Sequence, residues 1–423
     1  MARIVITSWG SYGDVNPYLG LALALRARGH SPVLAIPAYY RAAAEREGLE
    51  HAPVGPDVEP GDTTVVARIM DARTGTEFLL RELLAPAVDR TYEQLRSAAR
   101  GADLLVTHPV TFAGPVLAET TGMPWVSTVL APASLMSEHD PFVMPPAPWL
   151  KQVERVSRWP SVMLMRLAHR MTRSWMAPVD ALRARLGLPR GRHPVFEGQH
   201  SPTLVLALFS RVLADPQVDW PPNVRITGHV FYDAGHGESL APELSRFLDN
   251  GEPALVFTLG SSAVMAAGRF YEESVEAARR LGRRAVLLAG SDRAAQLSRS
   301  LPSGMLAVDQ APHSLLMPRA AAVVQQCGIG TLAQALRAGR PILAVPFAHD
   351  QPDNAWRATR VGVARTIPAQ RYDARRAERE LGHLLDDAAY GARAHTVGEQ
   401  VREEDGATRA CEAIEEVLTL VRA

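Results

Sequence analysis

Short apolar runs alternate along the chain with stretches whose apolar residues recur at three- and four-residue spacing, the signature of buried strands between amphipathic helices. Ile4-Val5-Ile6 reads as a strand, followed by a loop from Trp9 to Asn16 with two glycines. Pro17 suits the first position of a helix that runs to about Arg28 and stops at Gly29. Ser31 to Ile36 is the next strand, Tyr39 to Glu47 a helix closed by Gly48, and His51 to Val54 a third strand. This βαβαβ opening is half of a doubly wound sheet. Asp57 to Thr76 reads as irregular and Glu77 to Ala99 as helical. A strand from Leu104 to Thr107 ends at His108, a helix spans Phe112 to Thr121, and another strand spans Trp125 to Leu130. The proline- and serine-rich run from Ala131 to Pro148 reads as an active-site loop rather than a linker.

Val153 to Ala184 is long, arginine-rich and amphipathic, with Trp159, Met163, Met165, Met171, Trp175 and Met176. It is either a packed helix with a solvated arginine face or a surface that meets lipid or a greasy acceptor. After the strand Leu204 to Leu208, the turn-rich Ser210 to Tyr232 and the glycines at 235 and 237 mark a junction. The expected division is 1–215, a linker at 216–240, a second domain at 241–400, and a last helix in 401–423.

The second half repeats the α/β rhythm. Strands are expected at Ala254 to Leu259, Ala285 to Ala289, Met305 to Val308, Ala321 to Val324 and Pro341 to Val345. Within it lies the most informative stretch, Val324 to Thr331 (VQQCGIGT) continuing to His349-Asp350-Gln351-Pro352-Asp353-Asn354. Gly328 and Gly330 permit a tight turn, Thr331 is placed to cap the next helix, and free N–H groups at such a helix start favour an anion. Asp350, Gln351, Asp353 and Asn354 form a cluster able to hydrogen-bond sugar hydroxyls. A phosphate cradle beside a hydroxyl-binding loop, on successive strand ends, points to a nucleotide sugar.

Composition narrows the alternatives. The 423 residues carry 45 basic and 45 acidic side chains, which leaves no global field for nucleic acid. Lys151 is the only lysine. Two cysteines, Cys327 and Cys411, are too few for a disulfide scaffold, so a reducing cytoplasm is the simpler setting. Cys327 reads as a small packing residue. The apolar start is shorter than a secretory signal needs, and no window approaches a transmembrane helix. No Cys/His cluster has metal-ligand spacing, so neither a metal nor another cofactor is expected.

Gly-x-Gly-Thr, Arg337-Ala338-Gly339-Arg340-Pro341 and Pro346-Phe347-Ala348-His349-Asp350-Gln351-x-Asp353-Asn354-Ala355 resemble the donor signature of family 1 glycosyltransferases. Gly10-Ser11-x-Gly13-Asp14-Val15-x-Pro17 resembles their bacterial branch, which includes sterol and antibiotic-aglycone glucosyltransferases. Asp219-Trp220-Pro221, Phe247-Leu248-Asp249 and Phe257-Thr258-x-Gly260-Ser261 are similar to the rhamnosyltransferase of rhamnolipid synthesis. The resemblance implies the GT-B fold: two Rossmann-like doubly wound domains facing a cleft, with the last helix crossing back to the first. It implies an inverting transfer from a UDP- or dTDP-linked sugar to a hydroxyl of a hydrophobic aglycone, sterol or lipid. Asp350 and Gln351 match the pair that holds the sugar, and Gly328, Gly330 and Thr331 the diphosphate loop. Ser261 matches the serine near the phosphates, and Gln310 to His313 the nucleobase position. Gln325 and Gln326 stand where the family usually has histidine, Cys327 replaces the first glycine, and Gln334 replaces a glutamate on the ribose.

An acceptor hydroxyl needs a base. Asp14 stands where many relatives have histidine and reads as that base, or as a cap of the first helix. His108, at a strand end expected to face the same site, is the second candidate. Trp9, Tyr12, Phe112 and Phe142 are the expected acceptor wall. Two rival readings are a catalytically silent GT-B protein that binds nucleotide sugar or a partner enzyme, and an epimerase on the same architecture.

Overall fold

The computed structural model describes residues 1–58, 62–154, 156–233, 239–264 and 267–422. It divides into two units, Met1–Tyr232 with Glu404–Ala423, and Asp233–Glu403. The glycine stretch at 234–237, expected at the junction, lies outside the described residues.

Among the described residues the first unit holds seven parallel strands: β1 (Arg3–Thr7), β2 (Ser31–Ile36), β3 (Glu50–Pro53), β4 (Leu104–Thr107), β5 (Trp125–Val129), β6 (Leu204–Ala207) and β7 (Val224–Ile226). Their order is β3-β2-β1-β4-β5-β6-β7, so the sheet reverses direction between β1 and β4. Strands buried on both faces read as continuous apolar runs, as β1 and β4 do. Val5, Val33 and Leu105 pack on Leu95, Val116 and Leu182 from the covering helices.

Several elements differ from the sequence expectation. The first helix spans Tyr12–Ala27 and so begins five residues before Pro17, which lies inside it. Ser11 caps it: its hydroxyl accepts from the Gly13 N–H, and the Asp14 carboxylate reaches back to the Ser11 N–H. That reciprocal cap outweighs the proline signal. Thr63–Ile69, expected to be irregular, is a helix started by Asp62, whose carboxylate accepts from the Thr64 and Val65 N–H groups. The expected helix from 77 to 99 is a π-helical segment, Phe78–Leu84, followed by the helix Val88–Ala98. The arginine-rich segment is interrupted, with its longest helix at Trp159–Arg173. β7 was hidden in a turn-rich run because it is only three residues long.

The second unit holds β8 (Ala254–Thr258), β9 (Ala285–Leu288), β10 (Met305–Val308), β11 (Ala320–Gln325), β12 (Ile342–Ala344) and β13 (Ala364–Thr366). All pairings are parallel, in the order β10-β9-β8-β11-β12-β13, with the reversal between β8 and β11. The sequence reading missed β13 and the helix Ser291–Ser298, both short elements beside glycine-containing loops. The last helix, Gly406–Arg422, packs in the first unit against Tyr12–Ala27, where Glu415 accepts from Arg28 at 2.9 and 2.7 Å and pairs with His30 at 3.1 Å. Gly406 permits a second close approach, to the backbone at 228–229: a Cβ there would lie 2.4 Å from the His229 carbonyl oxygen.

Candidate active site

Ligands in open parallel sheets bind beyond the strand carboxyl ends where the strand order reverses. In the first unit that point gathers the loops after β1 and β4, which carry Asp14 and His108. The Asp14 carboxylate accepts from the Ser11 N–H at 2.8 Å and the Ser11 hydroxyl at 3.0 Å. Gly10 makes room for it: a Cβ there would sit 2.4 Å from Asp14 Oδ2, and the backbone φ is +139°. Tyr40 donates to the Gly10 carbonyl and Ser8 to that of Asp14, both at 2.8 Å, which pins the loop on two sides. The Asp14 side chain remains 36 % accessible. Loss of hydration raises its pKa, and the two bonds from Ser11 oppose that rise.

His108 is 8 % exposed, and burial alone takes its pKa down to about 3, so it is neutral at physiological pH. Its Nδ1 accepts from the Val110 N–H at 3.3 Å, which places the remaining proton on Nε2. Nε2 faces Asp14 Oδ1 at 3.8 Å, beyond hydrogen-bond range. The first-loop carboxylate is thus hydrogen-bonded and accessible, while the histidine beside it has already engaged its only lone pair.

Trp9 and Phe112 line one narrow cavity with Thr7, Val54, Pro56 and Val110. Trp9 Nε1 donates to the Pro56 carbonyl at 2.9 Å. The other two aromatic candidates are placed elsewhere. Tyr12 is 38 % exposed and packs edge-on against Tyr39 and Tyr40, and Phe142 is half-buried away from that cavity lining.

In the second unit the reversal gathers the loops after β8 and β11. Gly260, at φ +60°, lies under two side chains: a Cβ on it would be 2.4 Å from Gln326 Nε2 and 3.2 Å from Thr331 Oγ1. Gln326 Nε2 also lies 3.2 Å from the Cβ position of Gly328, so Gly328 and Thr331 of the expected diphosphate loop converge with Gln326 and Gly260. Thr331 is not the helix cap. The helix spans Ile329–Ala338, Gly328 takes the cap position, and Thr331 falls in the first turn with its side chain toward Gly260. Both amide atoms of Gln325 and the Oε1 of Gln326 are buried with no hydrogen-bond partner among the described residues. Buried polar groups of this kind call for a polar ligand. The Ser261 side chain lies outside the described residues.

Two non-glycine residues adopt left-handed backbone conformations at these loops, Cys327 at φ 62° and His349 at φ 56°. Asn354, 0 % exposed, braces both: its Nδ2 donates to the Cys327 carbonyl at 3.0 Å and to Asp350 Oδ2 at 2.7 Å. Gln351 Oε1 accepts from the Phe347 and Ala348 N–H groups at 2.9 and 3.3 Å. Asp353, expected among the sugar-binding groups, is fully buried and pairs with Arg357 at 2.6 Å one helical turn on. The D-x-x-x-R spacing was the available signal for that pair. Gln334 and Arg337 both bond Asp233, at 3.2 and 2.6 Å, a partner hidden in the junction sequence. Gln310 is exposed beyond the edge strand β10, and His313 opens the short helix His313–Leu316.

Two results are expected here. Asn354→Ala will raise the KM for the donor more than it lowers kcat, because it frees the Cys327 carbonyl and the Asp350 carboxylate from each other, and will cost about 1–3 kcal/mol of stability. Steady-state kinetics and urea unfolding check both. Secondly, burial lowers His313, His193 and His200 to about 4, as it lowers His108 to about 3. An unfolded histidine charges below about pH 6.5, so the unfolded chain binds more protons than the native one below that value. Stability is therefore full above about pH 6.5 and falls as pH drops toward the folded values, a trend that the lowered His51 reinforces and the raised Asp14 and Glu404 oppose. The melting temperature by scanning fluorimetry should fall between about pH 7.5 and about pH 5.

Two doubly wound parallel units in succession, each with polar loops gathered where its sheet reverses, define the GT-B class of glycosyltransferases. Residues 277–417 match the family described as Erythromycin biosynthesis protein CIII-like, C-terminal domain. The chain is 34 % identical to O-mycaminosyltylonolide 6-deoxyallosyltransferase of Streptomyces fradiae, over 98 % of this chain and 97 % of that one. It is 28 % identical to a sterol 3-beta-glucosyltransferase of Neurospora crassa, over 97 % of this chain and 27 % of that longer protein. Among solved structures, the kitacinnamycin glycotransferase aligns with TM-score 0.73 at 24 % identity over 99 % of each chain. Glycosyltransferase VinC in complex with dTDP aligns with TM-score 0.67 at 20 % identity over 99 % of each. The chain belongs to this GT-B glycosyltransferase family and is a glycosyltransferase.

Proposed function

We propose that this enzyme transfers a sugar, with inversion, from a dTDP- or UDP-linked donor to a hydroxyl of a hydrophobic natural-product aglycone. The observation that carries the reading is Asp14: a carboxylate held by Ser11, still accessible, at the sheet reversal of the first unit. The acceptor hydroxyl loses its proton to Asp14 as its oxygen bonds the anomeric carbon. The bond from that carbon to the diphosphate breaks with its electron pair on the leaving oxygen. A carboxyl with a raised pKa is a better base than an ordinary one, while the two bonds from Ser11 favour its ionised form.

On the donor side, the unpaired Nε2 of Gln325 and the helix start at Gly328 offer donors for diphosphate oxygens without a cationic side chain. Asp350 and Gln351 take the sugar hydroxyls, and Gln310 and His313 the base. Residues 1–215 take the acceptor and 241–400 the donor in this reading. The relative named a deoxyallosyltransferase and the dTDP complex of VinC favour a dTDP-deoxysugar and a macrolide-like aglycone over UDP-glucose and a sterol.

Mass spectrometry on a panel of dTDP- and UDP-sugars, each with a macrolide aglycone and with a sterol, should give a glycosylated aglycone. Nucleoside diphosphate release should depend on added acceptor. Release at the same rate without acceptor would overturn the transferase reading of the site.

A further inference from the structure

The helix Trp159–Arg173 presents one face to the first unit through Ser161, Val162 and Met165, which are buried. Its opposite face is an unusual surface. Trp159, Met163, Leu167 and Met171 are 63, 58, 51 and 58 % exposed, and they recur every fourth residue along a single stripe. Trp149, at 59 %, and Val156, at 92 %, add exposed apolar side chains just before the helix. Scattered exposed hydrophobics are ordinary, but a continuous aligned row marks a contact surface.

Charge identifies the contact. No Asp or Glu occurs between Glu154 and Asp180, while Arg155, Arg158, Arg166, Arg170 and Arg173 do. Glu138 neutralises Arg166 and Asp180 neutralises Arg173, each with contacts of 2.7 to 2.9 Å. Arg158 and Arg170 are exposed, and neither has a carboxylate partner among the described residues. The rim of the stripe is therefore cationic. A second copy would set the same cations against themselves. A helix face with aromatic and thioether side chains between arginines suits an anionic bilayer, where the apolar row enters the headgroup boundary and the guanidinium groups stay among phosphates.

We propose that this stripe docks the first unit on anionic lipid surfaces. The arginines select the charge of the surface, and the apolar row supplies the insertion. Met163 and Met171 are exposed and neither is among the residues placed at the active site, so docking can be tested separately from transfer.

The test is cosedimentation of the full chain with phosphatidylcholine vesicles, with and without phosphatidylglycerol, comparing wild type with the double variant Met163→Glu/Met171→Glu. Both positions are exposed, and an unchanged melting temperature will show that the variant is folded. Wild type is expected to pellet with the anionic vesicles at low salt, to be released at high salt, and to bind neutral vesicles about tenfold less. The variant should lose anionic binding by about tenfold or more. The proposal is overturned if wild type stays in the supernatant with both vesicles, or if the variant binds as well as wild type. It is equally overturned if light scattering shows a wild-type dimer that the variant dissociates, since the stripe would then belong to a second copy.

Discussion

Asp14→Asn will keep donor binding and lose sugar transfer by about a hundredfold or more, the range expected when a general base is removed. The substitution keeps shape and volume. Asparagine Oδ1 can still accept from the Ser11 N–H and hydroxyl that now hold the carboxylate at 2.8 and 3.0 Å, so the loop and the helix start survive. What disappears is the ability to take a proton. Because the Asp14 pKa is raised, the acidic limb of the wild-type kcat/KM profile should lie above the range of an ordinary aspartate, and the variant should lack that limb. His108→Gln is the control: its Nδ1 is occupied by the Val110 N–H, so it should lower turnover far less. Titration calorimetry with the nucleoside diphosphate separates binding from chemistry, and near-normal turnover by Asp14→Asn would rule this carboxylate out as the base.

Arg357→Ala should destabilise the second unit by about 3–5 kcal/mol, the range for breaking a buried ion pair by removing one partner. Arg357 is 1 % exposed, its Nε donates to Asp353 Oδ2 at 2.6 Å, and Asp353 is completely enclosed. Truncation leaves that carboxylate desolvated without its compensating charge. Replacing both at once, as Asp353→Leu/Arg357→Met, removes the need for compensation and should recover most of the loss. Urea unfolding followed by tryptophan fluorescence, with Trp356 in the same helix as a local reporter, reads the effect. The two units can unfold in separate steps, so the transition that carries Trp356 is the one to compare. A loss below about 1 kcal/mol would show that the pair is not structurally important.

The alternation of apolar runs and helical periodicity made both parallel sheets legible, because strands such as β1, β4 and β11 are buried on two faces and carry no competing signal. Boundaries were lost where a local hydrogen bond outweighed a residue preference. Pro17 looked like a helix start, yet Ser11 and Asp14 cap the chain earlier. The acidic loop was located from its composition, but composition cannot say which way a carboxylate points. Asp350 stays at the strand-end loop, while Asp353, three residues on, rotates into the core to meet Arg357. Asp233 was invisible for a different reason. Its partners Gln334 and Arg337 lie about a hundred residues away in sequence, and no periodicity relates positions across such a gap.

The division of the chain between the units also bears on synthesis. The second unit is one uninterrupted segment, Asp233–Glu403, whereas the first is completed by Glu404–Ala423, which is made after the whole of the second unit. Domains fold as units as they emerge from the ribosome. The second unit thus has all its strands in hand while the first still lacks the helix that buries Ala410, Cys411 and Ile414 and clamps Arg28 through Glu415. The first unit, though begun before the second, is completed after it. Until then its exposed seam is the segment of the nascent chain most in need of a chaperone.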